Sequence, residues 1–342
     1  MTHELIEILK AAALYEGRGQ QAVIATVVDL DGSSYRGPGV RMLLTQQGEM
    51  VGAVSGGCVE KEVFQRAESV FKTGVAKIIT YDGRYRLGCE GLLYILIEAI
   101  HMSSKDFEEL QPLLQKRSPI KIRSFFQLKE NAQGNFGSII TFENGHSFKL
   151  SRTFSPEEQE QLNVFEQSLK PLFRLTIVGG EHDAVKLCTM ASLLGWEVAV
   201  VTPLNSTKKL QDFPGASKLF CESPDSITFD YLDKESAVVL MTHNYAQDLK
   251  FLLKLRNAEY AYIGILGSAK RRDKLQNELF EFMEDLSEEF LDEIHSPAGL
   301  NIGAETPEEI ALSILSEILA VTRNKEPFSL KKVRGKIHLK LD

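Results

Sequence analysis

From Leu172 onward the chain alternates short β-branched runs with helical segments, and this alternation constrains the fold more than any other feature. The run LFRLTIVGG leads into a helix extending to about Leu194, Gly195-Trp196 punctuates its end, and the apolar run Glu197 to Thr202 follows. Strand, helix and strand in that order make a βαβ unit, which calls for a parallel sheet with right-handed crossovers. Further strands are predicted at Ser236 to Thr242 and Tyr260 to Leu266, each leading into a helix. The last helix is marked by Thr306 as N-cap, Pro307 at the first helical position and Glu309 two residues on, ahead of an apolar stripe of Ile310, Ile314, Leu315 and Ile318. This half reads as a Rossmann-like domain.

The first half has a different rhythm. An amphipathic helix ending near Gly17 precedes β-rich runs at Ala22 to Leu30, Arg41 to Thr45 and Met50 to Val54. A helix from about Val59 to Phe71 comes next, with Val59, Val63, Ala67 and Val70 on one face, then strands at Ala76 to Tyr81 and Leu92 to Ile100. The expected class is α/β, an N-terminal α+β domain followed by a Rossmann-like parallel-sheet domain. With 342 residues there is room for two cores. The expected divisions are 1–110 for the α+β domain, 111–170 for a β-rich connector and helix, 171–325 for the Rossmann-like domain, and 326–342 for a basic tail. Within the connector, Pro112 to Ser118 reads as a polar break, Asn144-Gly145 as a hairpin turn, and Ser155-Pro156-Glu157-Glu158 as a helix start.

Composition excludes several classes. A net charge of −8 argues against a broad nucleic-acid footprint, and no apolar run is long enough to cross a bilayer. The N-terminus carries acidic residues where a signal peptide would be basic, so a cytoplasmic protein is expected. The four cysteines, Cys58, Cys89, Cys188 and Cys221, include no C-x-x-C pair and signal neither a zinc ribbon nor an iron–sulfur cluster. A homodimer is the base-rate expectation for such a chain.

Four stretches carry chemistry. Ser55-Gly56-Gly57-Cys58 lies at the start of the predicted helix, where unpaired N–H groups and the helix dipole favour an anion and a thiolate. A tight turn with a small buried cysteine satisfies the same pattern. A second glycine–cysteine turn, Gly88-Cys89, leads into the next strand, and both turns belong to one small domain; Arg41 adds a cation within it. In the second half, His243 and the Gly267-Ser268 turn with Lys270, Arg271 and Arg272 lie where strands of a parallel sheet end, which is where such folds bind ligands. The dinucleotide fingerprint itself is broken. Glu181 replaces its middle glycine, and the second strand ends in Thr202-Pro203 rather than in an acid, so NAD(P) binding is not expected.

The motifs GSSYRGPGVRMLL, GAVSGGCVE, LGCEGLLYILIE, MTHNYAQD, YIGILGSAKRR and SPAGLNIGAETPEEIALSI resemble the XdhC/CoxI family of molybdenum-hydroxylase accessory proteins. The resemblance implies a protein that binds the molybdenum cofactor, protects it while its terminal sulfur is installed, and delivers it to apo-xanthine dehydrogenase or a related molybdenum hydroxylase, with a cysteine desulfurase as a further partner. It implies a maturation chaperone rather than a catalyst; the alternative is an NAD(P)-dependent oxidoreductase or a xanthine dehydrogenase-associated enzyme using the Rossmann-like domain. On this resemblance the cofactor-binding candidates are Arg41, Ser55, Gly56, Gly57, Cys58, Gly88, Cys89, His243, Gly267, Ser268 and Arg271, and the candidate metal contacts are Cys58 and Cys89. The family's usual G-A-G-H is Gly179-Gly180-Glu181-His182 here, while the cysteine motifs are intact.

Overall fold

The computed structural model describes residues 1–32, 34, 36–83, 91–156, 162–282 and 288–332, with the backbone alone at 58, 276, 280–282, 288 and 289. The chain forms two compact units, Met1–Pro171 and Leu172–Asp342.

The first unit runs α1 (Thr2–Gly17), β1 (Ala22–Asp31), β2 (Arg41–Thr45), β3 (Met50–Gly52), α2 (Cys58–Thr73), β4 (Ala76–Asp82), β5 (Leu92–Ile100), α3 (Ser104–Leu114), β6 (Ile120–Phe126), β7 (Gln133–Gly134), β8 (Gly137–Phe142), β9 (Ser147–Lys149) and β10 (Asn163–Leu169). Among the described residues these strands make two sheets, ordered β3-β2-β1-β5-β4-β7 and β10-β6-β8-β9. β1 lies inside the first sheet, antiparallel to both β2 and β5. Side chains alternate across a strand, so Val23, Ala25 and Val27 meet Val59, Val63, Ala67 and Val70 of α2, while Ala22 and Ile24 turn to the core beneath α1. Burial on both faces explains why β1 reads as a near-continuous apolar run, interrupted in its buried part only by Thr26.

One expectation for the connector needs correction. The break expected at Pro112 is inside α3, which continues to Leu114 and is fixed at its start by a reciprocal capping box between Ser103 and Asp106. The helix expected from Ser155 falls on 157–161, outside the described residues, and the next element is strand β10, paired with β6 from Asn163↔Phe126 to Leu169↔Ile120.

The second unit runs β11 (Arg174–Val178), α4 (His182–Leu193), β12 (Glu197–Thr202), β13 (Ala216–Cys221), β14 (Ser236–Leu240), α5 (Tyr245–Leu255), β15 (Tyr262–Ile265), α6 (Ala269–Phe282), α7 (Glu288–Asp292), β16 (Ile294–His295) and α8 (Pro307–Thr322). The sheet order is β13-β12-β11-β14-β15-β16, with every pairing parallel. This is the Rossmann-like arrangement expected. Ala184, Leu187, Ile314 and Ile318 of α4 and α8 fill one face, and Leu249, Leu252, Leu275 and Leu279 of α5 and α6 fill the other. Strand order reverses between β11 and β14, and doubly wound sheets open a crevice at such a point. Strand β13 has no counterpart in the sequence reading. The basic tail falls partly on 333–342, outside the described residues.

Candidate functional site

The helix start in the first unit is built around Ser55. Its hydroxyl donates to Glu60 Oε2 at 2.7 Å and accepts from the N–H groups of Gly57 and Val59 at 3.2 and 3.3 Å. Its own N–H donates to Glu60 Oε1 at 2.7 Å. Gly57 is the N-cap of α2 with φ 118°, a conformation only glycine adopts without strain. Burial alone would raise the Glu60 carboxyl, but the hydrogen bonds from Ser55 and nearby backbone outweigh it and hold the group below its ordinary value. Part of the positive field at this helix start is therefore met by the protein's own carboxylate. What remains open lies over the glycines: a Cβ placed on Gly56 or Gly57 would meet nothing within 4 Å. Before this turn, Arg36 donates to Ala53 O at 2.6 Å and to Glu4 Oε1 at 2.5 Å.

Cys58 opens α2 immediately after these glycines. Its side chain, and all of Gly88 and Cys89, lie outside the described residues. Among the described residues no group of three or more His, Cys, Asp or Glu side chains is placed to hold a metal ion.

Arg41 is not brought to this helix start. It shares the α1 face of the sheet with Leu43, whereas α2 packs against Met42 and Leu44 on the other face. It is 7% exposed and donates through one Nη to Gly39 O at 2.8 Å and Gln167 Oε1 at 2.6 Å. Among the described residues its Nε and second Nη, with Thr26 Oγ1, have no hydrogen-bond partner. Glu98 is fully buried on β5, which lies across β1 from Arg41's strand, accepting from the Ser138 hydroxyl at 2.6 Å and N–H at 2.9 Å. Burial pushes the Glu98 carboxyl up from 4.5 to about 7, against the pull of Ser138 and Arg41. Between those values the folded unit holds a proton that the unfolded chain releases, so stability is present at acid pH and is lost as pH rises toward 7. Glu98→Gln is expected to flatten that decline, measured as the urea midpoint by circular dichroism between about pH 5 and 8.

In the second unit the crevice at the switch point holds about 340 Å³. Val178, Val201 and Phe251 give it an apolar floor; Gly180 and Glu181 of the first turn, Thr202, Glu222, Asn244 and Gln247 line its rim. His243 stands beside it with φ 54°, half exposed, its Nε2 3.6 Å from Asp183 Oδ2 in the first turn of α4. Gly267, Ser268 and Arg271 do come together, but on one another. Ser268 Oγ accepts from the Arg271 N–H at 3.3 Å, the space beside Gly267 is filled by the Arg271 side chain, and the guanidinium is 2.5 Å from the fully buried carboxylate of Asp248. Of the three cations that the sequence offers to a phosphate there, Arg271 is committed to Asp248. Sequence reasoning passes over Asp248 as a partner and Glu222 as a crevice residue. Asp248 carries a signal, a carboxylate in the first turn of the helix after β14, while Glu222 depends on a strand that the pattern does not reveal.

Fold and motifs together match a two-domain protein of the XdhC type, and the chain belongs to the XdhC and CoxI family. The XdhC and CoxI family model matches residues 16–82, and the XdhC Rossmann domain matches residues 175–318. A protein of Bacillus subtilis (strain 168), named as a probable xanthine dehydrogenase subunit, is 32% identical over 321 residues, covering 88% of this chain and 93% of that relative. The molybdenum cofactor insertion chaperone PaoD of Escherichia coli (strain K12) is 25% identical over 329 residues, covering 95% of this chain and 90% of that one. A crystal structure described as a xanthine dehydrogenase from Bacillus halodurans shares 27% identity and a TM-score of 0.76, covering 94% of this chain and 96% of that one. No described helix is long and apolar enough to cross a membrane.

Proposed function

We propose that this chain binds the molybdenum cofactor as cargo, shelters it during sulfuration, and delivers it to xanthine dehydrogenase or a related molybdenum hydroxylase. The observation that carries the reading is similarity to a molybdenum cofactor insertion chaperone along 95% of the chain. The helix start of the first unit fits such cargo. A molybdenum–sulfur centre prefers soft ligands, and a cysteine at the first helical position offers one. Gly56 and Gly57 leave the backbone open to a bulky anionic group. In this reading Cys58 supplies the thiolate, Cys89 the second soft contact, and Ser55 with Glu60 fixes the turn. The chain itself transfers no hydride and oxidises no purine; that chemistry belongs to the client.

The test is equilibrium binding of isolated molybdenum cofactor, in its nucleotide-free and dinucleotide forms, to the full chain. Binding of one form, followed by recovery of activity when loaded chain is mixed with an apo-hydroxylase, is the expected outcome. Failure to bind either form removes the proposal.

A further inference from the structure

The second unit has a carboxylate where its fold needs one, supplied by the wrong strand. In a dinucleotide-binding crevice an acid at the end of the second strand accepts the ribose hydroxyls, and here that strand ends in Thr202. Strand β13 lies beside it in parallel register, Thr202 opposite Cys221, and the next residue, Glu222, donates its N–H to Thr202 O at 2.9 Å. Glu222 thereby lines the same crevice as Thr202, Gly180 and Asn244. Its Oε2 accepts from the Ser226 hydroxyl, and no described group bonds its Oε1.

The rest of the crevice is consistent with a nucleoside. Gly179, at φ 144°, cannot carry a side chain, because a Cβ there would lie 2.4 Å from Met241 O; one on Gly180 would lie 2.9 Å from Thr202 Cγ2. The first turn thus keeps the tightness that brings backbone near a phosphate. Glu181, in the middle-glycine position, is 68% exposed and 3.9 Å from Lys208 Nζ, and Lys208 also donates to Gly180 O. A cation therefore offsets the carboxylate that the sequence sets against a phosphate. Across the crevice, Asn244 Oδ1 accepts from the Gln247 N–H at 3.2 Å, which leaves the Asn244 amide nitrogen and the Gln247 side chain for the edge of a base.

We infer that this crevice binds a nucleotide bearing an unmodified ribose 2′,3′-diol, with Glu222 as acceptor for the diol. The inference stands apart from the cofactor reading, and its probes contain neither pterin nor molybdenum. AMP and CMP, their 2′-deoxy counterparts and 2′,5′-ADP are titrated calorimetrically into the full-length protein and into Glu222→Gln. At least one ribonucleotide should bind, its 2′-deoxy form about tenfold more weakly, since a hydrogen bond to a charged group is lost. A 2′-phosphate facing Glu222 should abolish binding. Glu222→Gln should erase the preference for ribose over deoxyribose while the unfolding transition of Trp196, the single tryptophan, stays in place. The inference is overturned if neither ribonucleotide binds, if ribose and deoxyribose forms bind equally, or if Glu222→Gln keeps the discrimination.

Discussion

Replacing Asp248 with alanine is expected to destabilise the second unit by about 3 kcal/mol, the low end of what removing one partner of a buried ion pair costs. Asp248 is fully buried, accepts from the Thr242 hydroxyl at 2.6 Å and lies 2.5 Å from Arg271, whose side chain is 23% exposed. Alanine would leave the guanidinium half-sunk beside Tyr245 with no counter-charge. The pair is not itself a source of stability. Burial raises the Asp248 carboxyl above its ordinary value despite Thr242 and Arg271, so the folded unit tolerates this charge rather than being stabilised by it. The double change Asp248→Leu with Arg271→Met should therefore recover most of the loss. Trp196 packs against Phe173 with ring centroids 4.7 Å apart within the second unit, so its fluorescence follows this unit alone. The urea midpoint should fall by roughly 1–2 M in Asp248→Ala and return toward wild type in the double variant. An unchanged midpoint in Asp248→Ala would mean that Arg271 finds water as readily as it finds the carboxylate.

The elements readable in sequence are those whose burial leaves a periodic trace. β1 and the strands β11, β12 and β14 are covered on both faces and show as apolar runs; α2 and α8 show one apolar stripe and defined starts. Missed elements lie at sheet edges or carry mixed signals. β10 buries only Gln167 and Leu169, and β13 has no fully buried residue, so neither writes a two-residue period strong enough to notice. In α3 the proline reads as a breaker, although the Ser103 and Asp106 capping box already announces the helix. The candidate site divides in the same way. Ser55, Gly56, Gly57 and Cys58 are contiguous in the chain, so their grouping at a helix start can be read directly. Arg41 cannot be placed from sequence, because its face depends on the register of β2 against β1. Glu222 cannot be found at all. Its role comes from standing beside Thr202, which lies twenty residues earlier in the chain and one strand away in the sheet.

The functional prediction with the largest effect is Cys58→Ser. Serine is well tolerated in the first turn of a helix, so folding should change by no more than about 0.5 kcal/mol. The oxygen is a hard donor in place of a soft one, and affinity for the molybdenum cofactor should fall by about 100-fold or more, beyond what loss of an outer-shell partner alone costs. Thiolate ligation also releases a proton, so wild-type affinity should weaken as pH falls and the serine variant should lose that dependence. The two readouts separate ligation from packing. A cysteine that merely fills space would give a weakened variant with an unchanged pH profile, whereas a ligand changes both. Cys89→Ser supplies the second comparison: if Cys58 is the principal contact, Cys89→Ser costs less than Cys58→Ser and retains the pH dependence, and equal losses would assign the cargo to both thiolates together.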